Sequence, residues 1–272
     1  MVVRKILHVD QEKCTRCSIC AKVCPASFIK MTEEGPQENE FRFCISCGHC
    51  VAVCPHRALD NERAPLAQQE PINPSKWDVQ AARDFLRSRR SIRRYKQETV
   101  PQEKLLQILD IARYAPTGGN GQGLSYLVIS DKEKLQQITE LTIQWMEQEL
   151  SSGVPSAAYY RNVVRQYRAT GEDMILRGAP HLIVALCDEK FLRGQENAHF
   201  SFSYAELFAP TIGIGTCWAG YFQACAFTGY APLLKVLEIP ADKKVAGALM
   251  AGYSQYKYHR LVERNPLEVN WL

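Results

Sequence analysis

The spacing C-x2-C-x2-C-x3-C-P occurs twice in this sequence, from Cys14 as CTRCSICAKVCP and from Cys44 as CISCGHCVAVCP. No other feature restricts the fold as severely. Three thiols within seven residues can close on one centre from a single short loop, while the fourth is carried onward and the proline turns the chain after it. Eight of the eleven cysteines fall in these two runs. Such clustering reads as metal ligation in a reducing compartment, not as a disulfide framework. Zinc also binds C-x2-C knuckles, but it needs only four ligands and has no use for a third cysteine at the next step. A pair of iron–sulfur clusters is therefore the stronger reading.

Composition narrows what such a chain can do. With 46% apolar and 23% charged residues over 272 positions, it matches an ordinary soluble globular protein of one large domain, or a small and a medium one. A formal charge of +4 is too mild to argue for nucleic acid or a membrane surface as partner. The opening MVVRKILHVDQEKC reaches charge within a few residues, unlike a signal peptide, and no apolar run approaches the ~20 residues that span a bilayer. A cytoplasmic location is expected.

Residues 1–62 form the first predicted domain. RKILHV, SFIKM and EFRF are strand candidates, the last two on either side of a turn at Gly35-Pro36. This segment resembles the bacterial two-cluster ferredoxins over its whole length, although its charges balance where free ferredoxins are usually acidic. The resemblance implies that the fourth cysteine of each run crosses over. Cys14, Cys17, Cys20 and Cys54 would hold one [4Fe–4S] cluster, and Cys44, Cys47, Cys50 and Cys24 the other. Balanced charge suits a tethered relay.

Residues 63–80, with RAPLAQQEPINPSK, are expected to be a proline-stiffened linker. From Trp77 the texture changes. A helix from about Asp78 is followed by VPQEKLLQILDIARYAP, which places Leu105, Ile108, Leu109 and Ala112 on one helical face closed by Pro116. LSYLVIS, HLIVALC and KVAGALMAGYS read as strands; KEKLQQITELTIQWMEQEL and FSFSYAELFAPTIGIG read as helices. The alternation predicts an α/β or α+β domain over 81–272.

Four stretches of this domain are suited to an anionic, aromatic ligand. In RSRRSIRRY, Arg89, Arg90 and Arg93 offer guanidinium forks and Ser91 a hydroxyl; a solvated basic helix end is the plainer reading of the same residues. APTGGNGQG brings glycines and Asn120 into a loop. GIGTCWAGY is expected to be a glycine-rich entry to an apolar helix at Trp218, with close packing as the alternative use of its glycines. GYSQYKYHRLVERNP ends a strand with basic residues.

The ordered set RRSIR, APTGGNGQ, APHLIVA, GIGTCWAG and GY…R…RNPLE resembles the nitroreductase family of FMN-dependent flavoproteins across nearly all of residues 81–272. The whole chain resembles that family's ferredoxin-fused branch, typical of anaerobes. The resemblance implies an α+β fold in an intertwined homodimer with FMN at the interface. It implies that Arg89, Arg90, Ser91 and Arg93 bind the FMN phosphate, ribityl chain or pyrimidine edge, and that Thr117, Asn120 and Gln122 approach the flavin or substrate. Gly215, Thr216 and Trp218 would lie along the ring, and Arg264 with Arg260 would close on the phosphate. The family loop often has serine where Thr117 stands and Gln-Pro-Trp where this chain has Gln122-Gly123-Leu124. LEVNWL would be an arm on the other subunit.

The expected chemistry follows from the cofactors, with no catalytic protein residue. Two [4Fe–4S] clusters would pass single electrons from ferredoxin or another low-potential donor to FMN, which would reduce a nitro, quinone or activated-alkene acceptor. Alternatives are a non-catalytic electron carrier, or a specialised dehalogenation or flavin-modifying activity. NAD(P)H stays open as donor, without a separate Rossmann fingerprint. Trp145, Tyr159 and Tyr160 either line a substrate pocket or pack two helices. His49 and His56 flank cluster cysteines, and His181 precedes a strand. Cys187, Cys217 and Cys225 are expected to be buried small hydrophobes.

Overall fold

A computed structural model describes residues 5–72, 78–153 and 155–272. The chain divides into two units, residues 1–76 with 119–121, and residues 77–118 with 122–272. The first unit repeats one small motif. Strand β1 (Leu7–Val9), helix α1 (Ile19–Lys22) and strand β2 (Ile29–Thr32) are followed by β3 (Gly35–Glu38), α2 (His49–Ala52) and β4 (Leu59–Asn61). β1 pairs antiparallel with β4, and β2 with β3, each as a two-stranded ribbon. Leu7, Phe28, Ile29, Val51 and Leu59 form the core between them. The Glu38 carboxylate ties the outer strand in, accepting from the backbone N–H groups of Ile6 and Leu7 at 2.6 and 2.7 Å.

Two expectations change here. The strand after the turn is Gly35–Glu38, not EFRF, and Pro36 lies within it opposite Met31. A two-stranded ribbon has an open edge, where a proline's missing N–H costs no ladder bond. Asn39 then ends the strand, its side-chain oxygen accepting from Phe41 N, and Phe41 and Phe43 are exposed. Within the segment expected to be a linker, Leu66–Gln68 forms a 3₁₀ turn and Leu66 packs on the core. Residues 73–77, Trp77 among them, lie outside the described residues.

In the second unit, α3 (Val79–Ser88) starts at Asp78, whose carboxylate accepts from Ala81 N at 2.7 Å. It is followed by α4 (Gln102–Ala112), β5 (Leu124–Ile129), α5 (Lys132–Ser151), α6 (Arg161–Thr170), β6 (His181–Asp188), α7 (Gly194–Phe208), β7 (Gly215–Trp218), α8 (Gly220–Phe227), α9 (Ala231–Leu237) and β8 (Lys243–Gly252). The four strands form one sheet in the order β5-β6-β8-β7, and every neighbouring pair is antiparallel. That pairing makes the domain α+β.

Between the polar ends His181, Asp188, Lys243 and Lys244, the two central strands are apolar because both faces of the sheet are covered. Leu182, Val184 and Leu186 of β6 join the core with α5, α8 and α9, whereas Ile183, Ala185 and Cys187 join the core with α4 and α7. Small residues let α7 lie close to the sheet. A Cβ on Gly194 would come within 2.2 Å of Cys187 Sγ. On α4, Leu105, Ile108 and Ala112 are buried as the periodicity predicts, with Leu109 half-buried. No helix among the described residues is long and apolar enough to cross a membrane.

Candidate functional site: the cysteine runs and the basic edge of the sheet

The two cysteine runs adopt the same backbone path. Arg16 and Ser18 in the first, and Ser46 and Gly48 in the second, have positive φ at matching steps (55° and 65°, 59° and 72°). Alternating left-handed residues turn successive N–H groups to one side of the chain, a shape that accepts an electron-rich group. Non-glycine residues hold this conformation at a cost of ~1–2 kcal/mol each. After each run the Cys-Pro forms a tight turn, with Ser27 N donating to Cys24 O and Arg57 N to Cys54 O.

These turns return the fourth cysteine to the opposite run. Cys14, Cys17, Cys20 and Cys54 line one cavity of about 360 Å³, counting its open mouth. Burial pushes the Cys20 thiol up, and Cys17 and Cys54 add to the shift. The Cys50 thiol rises to about 11, first through burial and then through Cys44, Cys24 and Cys47. Each thiol is thus surrounded by members of its predicted set. Backbone N–H groups point at the crossing sulfurs, Phe28 N at Cys24 Sγ and Ala58 N at Cys54 Sγ, both 3.3 Å. Asn61 Nδ2 lies 3.6 Å from Cys44 Sγ. Zinc would draw its sulfurs to ~2.3 Å from a single point. The donor set fits a wider four-iron cluster.

In the second unit, three of the four predicted stretches meet at one edge of the sheet. Ser91 bridges to Thr216 in parallel register, and Ile92 N donates to Thr216 O at 2.8 Å. Arg90 Nη1 donates to the carbonyls of Arg87 and Arg89 at 2.8 Å each, closing the end of α3, and its Nη2 reaches Arg260 O at 3.4 Å. Arg260 and Arg264 lie exposed on a tail without helix or strand, anchored by the Arg87–Glu263 pair at 3.0 Å. Arg90 Nε is buried without a partner among the described residues. A buried donor in that condition calls for an acceptor, and a phosphate-bearing ligand fits it.

Other predicted residues are engaged differently. Arg89 pairs with the buried Glu206 at 3.4 Å, and the Trp218 indole N–H donates to the same carboxylate at 2.7 Å. Burial raises the Glu206 carboxyl, opposed by Arg89 and by the indole bond. Thr216 is buried, and a Cβ on Gly215 would lie 2.6 Å from Ile92 Cγ1, so close packing accounts for this glycine. Trp218 ends a strand rather than opening a helix, which begins only at Gly220. Pairing with β8 on one side and with Ser91-Ile92 on the other holds the segment extended. Thr117 Oγ1 accepts from Gln122 N at 3.0 Å. Asn120, which groups with the first unit, donates from Nδ2 to Ile45 O at 2.9 Å.

Trp145 is buried in the core, Tyr160 packs against it with ring centres 5.3 Å apart, and Tyr159 is exposed. Cys187, Cys217 and Cys225 are buried, and burial raises each thiol, Cys225 to about 12. Glu206 was not anticipated from the sequence. Its one visible signal is a lone carboxylate in the otherwise apolar end of α7, FSFSYAELF.

Comparison with known proteins agrees with both halves. The description "Nitroreductase family" matches residues 86–253 and "4Fe-4S dicluster domain" matches residues 13–59. An iodotyrosine deiodinase of Thermotoga neapolitana is 24% identical over 140 residues, covering 49% of this chain and 70% of that protein. An FMN reductase [NAD(P)H] of Bacillus subtilis is 40% identical over 65 residues, but this spans only 23% of this chain and 26% of the relative. A Bacteroides fragilis nitroreductase solved with bound FMN shares the fold at a TM-score of 0.55 and 19% identity, covering 69% of this chain and 97% of that one. With the family description matching well over half its length, the chain belongs to the nitroreductase family and carries a 4Fe-4S dicluster domain ahead of the family fold.

Proposed function

We propose that this protein is an iron–sulfur flavoprotein oxidoreductase that takes electrons from ferredoxin or a similar low-potential donor and reduces a nitro, quinone or activated-alkene compound. The convergence of Cys54 with Cys14, Cys17 and Cys20 around one cavity carries the reading. Cys14, Cys17, Cys20 and Cys54 would hold one cluster, and Cys44, Cys47, Cys50 and Cys24 the other. When bound, FMN supplies the exchange between single-electron delivery and two-electron reduction of an acceptor.

The chain's own residues bind and orient. Arg90, with its unpartnered Nε, and the exposed Arg93, Arg260 and Arg264 supply positive charge for a phosphate. Glu206 holds Arg89 and the Trp218 indole in fixed positions beside Ser91 and Thr216. Exposed apolar side chains on α7, Phe200 and Tyr204, and on the tail, Leu267 and Trp271, suit a homodimer interface.

Anaerobic purification with iron, sulfide and flavin quantification tests this assignment. Iron and sulfide in equal amounts, at the level of two four-iron clusters per chain, with one FMN, is the expected outcome. Zinc in place of iron, or no flavin, would sink it.

A further inference from the structure

A cavity of the second unit adjoins the helix-end arginines through Arg93. Arg93, Arg177, Tyr159, Tyr160, Tyr221 and Trp218 line one cavity of about 740 Å³, counting its open mouth. Neither arginine has a carboxylate partner among the described residues. Arg93 reaches only Ser91 O, at 3.5 Å, while Glu172 is held by Arg94 at 2.7 Å. The three tyrosines form a mutual cluster with ring centres 5.9–6.3 Å apart.

Arg177 is presented by a rigid device. Its φ is +62°, a conformation that non-glycine residues adopt only when the surroundings enforce it. The Asp173 carboxylate enforces it here by accepting from Ile175 N, Leu176 N and Gly178 N, all at 2.9 Å, and Ala179 N closes the turn on Leu176 O. A cation fixed beside an aromatic wall recognises a flat ring with a carboxylate. The guanidinium pairs with the anion, and the tyrosines take the ring edge-on or offset.

We propose that this cavity selects aromatic carboxylates as acceptors, with Arg177 the specificity-determining residue. The inference rests on the flavoprotein reading above, because it names the substrate class of that site.

Calorimetric binding to the oxidised, as-purified protein tests it, with 4-nitrobenzoate and its neutral partner 4-nitrobenzamide as probes. Wild type should favour the carboxylate. Arg177→Gln should weaken 4-nitrobenzoate roughly ten- to a hundredfold and leave 4-nitrobenzamide and flavin content unchanged, while Arg177→Lys keeps the preference. A wild type without preference, a preference that survives Arg177→Gln, or loss of flavin in that variant would overturn the proposal. Wild-type flavin content is read separately: wild type without flavin sinks the flavoprotein reading and this proposal with it, whereas flavin-bound wild type without the preference sinks this proposal alone.

Discussion

At the scale of single residues, His181 shows how burial fixes a protonation state. It opens β6 and is buried, with Nε2 accepting from Val100 N at 2.8 Å and Nδ1 2.6 Å from Ser130 Oγ. An acceptor Nε2 places the ring's proton on Nδ1, which donates to the serine. Burial holds the folded pKa below its ordinary value of ~6.5. The unfolded chain therefore takes up a proton first as pH falls. The contribution is full above the unfolded pKa and is lost as pH drops toward the folded one. Urea unfolding between neutral and mildly acidic pH should show stability declining, and His181→Gln should flatten that part of the slope. An unchanged slope would show that the ring is not held neutral. Gly194 offers a steric test of the same kind. With Cys187 Sγ 2.2 Å from the missing Cβ, Gly194→Ala should cost about 1–3 kcal/mol by overpacking, read as a lower urea midpoint.

At the scale of elements, the crossed cysteine sets proposed above would follow from two short helices, each followed by a Cys-Pro turn. Paired substitutions separate this arrangement from one cluster per run. Cys17→Ala with Cys54→Ala should remove one cluster's iron, because both lie in one set. Cys17→Ala with Cys24→Ala should remove the iron of both, and independent clusters in each run would reverse the two results. The cysteine spacing was legible because ligand geometry acts locally, and so were α4, β6 and β8, whose patterns reflect burial on one face or two. EFRF misled because its aromatics read as strand, although Asn39 bends the chain and leaves Phe41 and Phe43 in solvent. GIGTCW misled for the opposite reason. Its glycines look like a helix entry, yet Gly215 is small so that Ile92 can pack on it, a contact set by a segment over a hundred residues away. Glu206 draws its role from Arg89 and Trp218 on other elements, which no local pattern encodes.

At the scale of the whole molecule, an N-terminal dicluster domain and a nitroreductase-family domain share one chain, and the account holds that electrons entering the first leave through the second. The homodimer it includes should appear as twice the chain mass in light scattering, and a Leu267→Asp, Trp271→Asp variant should shift the population toward monomer. The most direct test of the central claim is anaerobic rapid mixing with reduced ferredoxin, following cluster and flavin absorbance together. Cluster bleaching should come first and flavin reduction after it, and the Cys17→Ala, Cys24→Ala variant with its flavin retained should leave that flavin oxidised on the same timescale. Flavin that is reduced equally fast without the clusters, or that stays oxidised after they are reduced, would contradict the account.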